Sequence, residues 1–141
     1  MDRKITMLFM CFLLASLSLF AFSCAAKDKS PSKAGYHQIS AEEAKAKIDK
    51  EEVILVDVRT QEEYDEKHIE GAVLIPNETI TDIQPEQLPD KEAVLLVYCK
   101  SGKRSSDASG KLAKMGFSNV YNITGGINGW PYEKVSWELS G

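Results

Sequence analysis

Cysteine is scarce in this 141-residue chain, and its three copies, Cys11, Cys24 and Cys99, form no CxxC pair. That spacing excludes a dithiol redox couple and a cysteine zinc site. Histidine is scarcer still. His37 and His68 stand apart, with no cysteine or acid at ligand spacing, so no metal site is expected. Basic excess is missing too: 17 Lys and Arg against 21 Asp and Glu leave a net charge of -4, the wrong sign for a general nucleic-acid binder. Internal repeats are absent. What remains is ordinary globular composition, 43% hydrophobic and 27% charged, enough for one domain plus a short extra segment.

The extra segment is at the amino terminus. Arg3 and Lys4 precede an apolar run over residues 5–22, the pattern of a secretory signal rather than a core helix. Ser23-Cys24 at its end is similar to a bacterial lipobox, which implies cleavage before Cys24 and lipidation of that cysteine. Simple secretory cleavage after Ser23 and an uncleaved anchor are the alternatives. Residues 25–35 are rich in Lys, Ser and Ala and read as a flexible tether. The expected organisation is a signal over 1–23, a tether over 24–35 and a domain over 36–139. Lipidation would place that domain on the outer face of a bacterial membrane; cleavage without lipid would make it soluble and secreted or periplasmic. Once the leader is gone and Cys24 acylated, Cys99 is the one free thiol. A lone exported thiol calls for a functional explanation.

The chain is organised around the stretch that holds this thiol. Val94 to Tyr98 is a short run apolar at every position, which reads as a parallel strand buried on both faces. Cys99 ends the run and opens a polar loop containing Lys100, Ser101, Gly102, Lys103 and Arg104. Ala108, Leu112 and Met115 then recur at the spacing of one helix face, and Gly116 stands where a helix-capping glycine would. A thiol at the carboxyl end of a strand, facing the amino end of a helix, meets backbone N–H groups, the helix dipole and nearby cations. All three favour the thiolate, which is the nucleophilic form. A buried packing cysteine is the bland alternative, but its charged neighbours are wrong for a core.

The elements around that stretch alternate. A first strand is expected near residues 36–39. Ser40 and Glu43 form a capping box for a helix to about Asp49 with Ala41, Ala44 and Ile48 inward. A buried strand covers 53–58, and a second capping box, Thr60 with Glu63, starts a short helix to Lys67. A brief strand at 73–75 ends at Pro76. One weak helical turn is expected within 79–92, and a last strand covers 120–123 before the Gly125-Gly126 turn. Asp57 and Arg59 close the second strand at the edge that carries Cys99, and read as an ion pair that supports loops. His68 reads as a packing residue. Strands alternating with helices predict an α/β fold, a mostly parallel sheet of about five strands with helices on both faces.

Cys99-Lys-Ser-Gly-Lys-Arg-Ser105 resembles the active-site loop of single-domain rhodaneses, C-x-x-G-x-R-S. Asp57-Val-Arg59, Glu63-Tyr64, His68-Ile-Glu-Gly-Ala72 and Gly125-Gly126 followed by Trp130 fit the same family in order, over nearly all of the chain beyond residue 35. The resemblance implies a rhodanese-like sulfurtransferase with its active loop after the fourth strand and no cofactor. Cys99 would take a sulfane sulfur from a small anionic donor such as thiosulfate and pass it to cyanide or a thiol. Lys100, Ser101, Gly102, Lys103 and Arg104 would bind the substrate, in a monomer without nucleic-acid partners. Two rivals stand beside this reading. Cysteine phosphatases and arsenate reductases also follow a loop cysteine with an arginine, but place one residue more between the two; the shorter loop here suits one sulfur atom better than a tetrahedral oxyanion. A non-enzymatic rhodanese-like binding module is the other, although such modules often lack the cysteine.

Overall fold

A computed structural model describes residues 35–136. The leader, the tether up to residue 34, the lipidation expected at Cys24 and the domain end expected at 139 lie outside the described residues. Strand β1, His37–Ile39, is followed by helix α1, Ala41–Lys50, and then by β2, Ile54–Asp57, and α2, Gln61–Glu66. Two short strands come next, β3, His68–Ile69, and β4, Val73–Leu74, before a 3₁₀ turn at Asn77–Thr79. The second half holds β5, Val94–Tyr98, α3, Lys103–Lys114, and β6, Asn119–Ile123. A 3₁₀ helix, Gly126–Gly129, and β7, Lys134–Val135, complete it.

Five strands form one parallel sheet in the order β1-β6-β5-β2-β4, so β5 lies at the centre and is the fourth of the five along the chain. The uninterrupted apolar run of β5 is explained by where its residues go. Leu95, Val97 and Cys99 pack with Ala108 and Leu112 of α3 on one face. Leu96 and Tyr98 pack with Ala41 and Ala44 of α1 on the other. Leu95, Leu96 and Val97 are fully buried, and each such side chain contributes ~1.5–3 kcal/mol relative to exposure.

Local signals set the helix boundaries. Both capping boxes form: Ser40 and Thr60 each accept the N3 N–H, and Glu43 and Glu63 each reach back to the cap N–H. Helix α3 ends in a Schellman arrangement. Phe117 N–H donates to the Leu112 carbonyl at 3.2 Å and Gly116 N–H to that of Ala113 at 3.0 Å, while Phe117 and Leu112 share one core cluster.

Three details depart from the sequence-based expectation. The helical turn expected within 79–92 stands at Asn77–Thr79, directly after Pro76. The strand expected over 53–58 is shorter at both ends. A second, antiparallel sheet pairs β3 with β7, joining His68 to Val135 and Ile69 to Lys134. Among the described residues no helix is long and apolar enough to cross a membrane.

Candidate active site

Cys99 follows β5 directly, and the loop 99–102 turns into α3 at Gly102, whose φ of +109° is a backbone conformation that favours glycine. That turn aims N–H groups back at the thiol. Gly102 N–H donates to Cys99 Sγ at 3.1 Å, and the Ser105 hydroxyl lies 3.4 Å from the same sulfur. Ser105 is fully buried, and its one hydroxyl proton is shared with the Gly102 carbonyl at 3.1 Å. A thiolate would draw that proton to itself.

The electrostatic balance favours ionisation. Burial opposes the charged form, but the Ser105 hydroxyl and the backbone N–H groups of Ser105, Gly102 and Ser101 outweigh it together, and the thiol titrates below its ordinary value. The residue is only 1% exposed, so the sulfur sits at the floor of the loop rather than on its rim.

The far wall of the loop is the Gly126–Gly129 turn. Ile127 N–H donates to the Cys99 carbonyl at 2.8 Å and Asn128 N–H to that of Lys100 at 3.1 Å. A Cβ on Gly126 would stand 2.3 Å from the Cys99 carbonyl oxygen, closer than any real side chain allows. The backbone of the Gly125-Gly126 turn is therefore a structural wall of the active loop, a role that a turn signal alone does not announce.

The flanking residues divide into two groups. Lys100, Ser101 and Lys103 are exposed around the loop, and Gly102 is half-buried. Arg104, expected to bind substrate, is half-buried beside the loop. Its fork rests on Glu63 of α2, Nη1 to Oε2 at 2.7 Å and Nη2 to Oε1 at 2.9 Å. The Arg104 bonds, then burial opposing them and the Thr60 N–H, leave the Glu63 carboxyl at about 2. Glu63 is thus both the N3 residue of a capping box and the anchor of the active loop; its sequence context shows only the first.

Asp57 and Arg59 are brought to the same sheet edge but not to the sulfur. Arg59 Nε and Nη2 hold Asp57 at 2.9 and 2.6 Å, and Nη2 also donates to the Lys67 carbonyl at 2.7 Å. The pair fastens the end of α2 to β2. His68 stacks on Tyr64 with ring centroids 3.8 Å apart, and its Nδ1 lies 2.8 Å from the Tyr64 carbonyl. Among the described residues no group of three or more His, Cys, Asp or Glu is arranged to hold a metal ion.

A central-strand thiol ringed by N–H donors at the carboxyl edge of a parallel sheet defines an α/β domain of the loop-cysteine class. The family model for the Rhodanese-like domain matches residues 40–133, and the chain belongs to that family. Solved structures agree. A rhodanese-like domain protein from Staphylococcus aureus is 32% identical, with 69% of this chain and 93% of that chain covered at a TM-score of 0.60. A rhodanese with anions from E. coli is 33% identical, with 60% and 99% covered at a TM-score of 0.55. Among curated proteins, a tRNA uridine(34) hydroxylase of Yersinia pestis is 35% identical over 99 residues, which are 64% of this chain and 27% of that protein. The chain therefore matches about a quarter of that relative's length.

Proposed function

We propose that this domain is a sulfurtransferase that carries a sulfane sulfur on Cys99. The observation behind this reading is a thiol of lowered pKa inside a loop whose donors, Gly102 N–H and the Ser105 hydroxyl, converge on one atom. With thiosulfate, the Cys99 thiolate attacks the outer sulfur. The S–S bond breaks, and sulfite departs with the bonding pair. Cys99 keeps a persulfide, whose terminal charge the loop N–H groups stabilise without reorganising. Lys100 and Lys103 offer charge to the departing sulfite. Cyanide or a thiolate then attacks the outer sulfur, and the electron pair returns to Cys99 Sγ. The matched part spans 27% of the tRNA hydroxylase relative, so hydroxylation is left with that longer protein.

The test is thiosulfate:cyanide turnover by wild type and Cys99→Ser. Turnover in wild type and none in the folded variant is expected. Efficient hydrolysis of aryl phosphates through Cys99 would replace this reading with the phosphatase one.

The leader supports a second part of the proposal: Cys24 is lipidated, and the domain works on the outer face of a membrane, tethered by residues 24–35. Mass spectrometry of the mature amino terminus checks it, and a free amino group at Cys24 or Ala25 with no acyl mass contradicts it.

A further inference from the structure

Three arginines occur in the chain, Arg3, Arg59 and Arg104. Arg3 lies outside the described residues, and Arg59 is committed to Asp57 with its side chain 6% exposed. Among the described residues Arg104 is the one arginine at the active loop, as the second residue of α3, near enough to Cys99 for the two charges to interact. A planar guanidinium grips a tetrahedral oxyanion by a two-pronged hydrogen bond, which a lysine, a point charge, cannot reproduce. Here both prongs are taken by the carboxylate of Glu63, at 2.7 and 2.9 Å. The pair stays part-exposed, at 32% and 27% of the side chains, so it stands beside the site instead of beneath it.

We infer that Glu63 is a specificity residue: by occupying the fork of Arg104 it denies the Cys99 loop an oxyanion clamp, so the loop takes up a single sulfur atom at Cys99 and does not grip the oxygens of a phosphate there. The inference rests on the sulfurtransferase reading for the word sulfur, and on geometry for the rest. It adds a charge argument to the loop-length one. A short loop leaves little room for an oxyanion, and the carboxylate beside it occupies the loop's guanidinium, leaving backbone N–H groups and the point charges of Lys100 and Lys103. Glu63 is also fixed independently of Arg104, because its Oε2 accepts the Thr60 N–H at 3.1 Å. The carboxylate is therefore already in place before Arg104 meets it.

Substitution by glutamine separates the two jobs of Glu63, since glutamine also serves at the N3 position of a capping box. The experiment uses the full chain and measures alkylation of Cys99 by iodoacetamide, read at the Cys99 peptide, against rising inorganic phosphate. Wild type should be poorly protected. In Glu63→Gln the half-protecting phosphate concentration should fall about tenfold, the scale of one freed charge-assisted fork. Adding Arg104→Lys to that variant should abolish the gain. Arg104→Lys alone should leave the weak protection of wild type where it is, which keeps the test open if Glu63→Gln does not fold. No gain in folded Glu63→Gln, a gain that survives Arg104→Lys, or lost protection in Arg104→Lys alone would each overturn the inference. Sulfur loading from thiosulfate is measured in parallel. A chain that loads sulfur but gains no phosphate binding keeps the sulfurtransferase reading and loses this one; a chain that gains phosphate binding but never loads sulfur does the reverse.

Discussion

Two arginine–carboxylate forks stand beyond the carboxyl edge of the sheet, and they differ in depth more than in chemistry. Arg59 and Asp57 are sealed, with side chains 6% and 0% exposed. Arg104 and Glu63 are roughly a third exposed. Asp57 is register partner to Tyr98 on β5, next to Cys99, so the sealed pair lies one strand away from the thiol and still makes no bond to it. Its donors and acceptors are spent on the Arg59 N–H, the fork and the Lys67 carbonyl. The open pair reaches across to the active loop. Burial makes the first a sealed brace, and exposure leaves the second open to water.

Breaking the sealed pair should have the larger effect on stability. Asp57→Ala leaves the Arg59 guanidinium buried without its partner, a change that costs ~3–5 kcal/mol. Glu63→Gln should cost no more than ~1 kcal/mol, because water replaces much of what is lost. Urea denaturation of both variants measures the contrast, and equal losses would remove the distinction between sealed brace and open pair. The pH dependence sharpens it. The folded carboxyl of Glu63 is depressed to about 2, below its unfolded value, so its stabilisation is complete at neutral pH. It declines as pH falls below the unfolded carboxylate range and is gone below about 2. Glu63→Gln should therefore lose less stability, relative to wild type, at low pH than at neutral pH.

The same contrast separates what was legible in the sequence from what was not. Features written in neighbouring residues could be read directly: the run into Cys99, both capping boxes, the α3 face of Ala108 and Leu112, and its Gly116 ending. Asp57 and Arg59 are two residues apart, and their pairing needed only a turn of backbone. Glu63 and Arg104 are 41 residues apart and meet because α2 and α3 both stand at the carboxyl edge. No spacing announces that, so Arg104 reads as a free cation and Glu63 as a cap. The β3–β7 ribbon was hidden for a similar reason. His68–Ile69 and Lys134–Val135 are two-residue strands, too short to carry a period, and their partners lie far apart in the chain. Gly126 looked like a turn residue, while the contact that forbids a side chain there comes from the Cys99 carbonyl.

The central claim is that Cys99, held in its ring of donors, carries sulfur. Intact mass spectrometry of the protein after incubation with thiosulfate and removal of the excess measures it directly, followed by mapping of the labelled peptide. The account predicts the gain of one sulfur atom, located on Cys99, removed by cyanide and absent from Cys99→Ser. A wild-type chain that stays at its unmodified mass with thiosulfate and with persulfide donors alike, while folded and with Cys99 reduced, would contradict it.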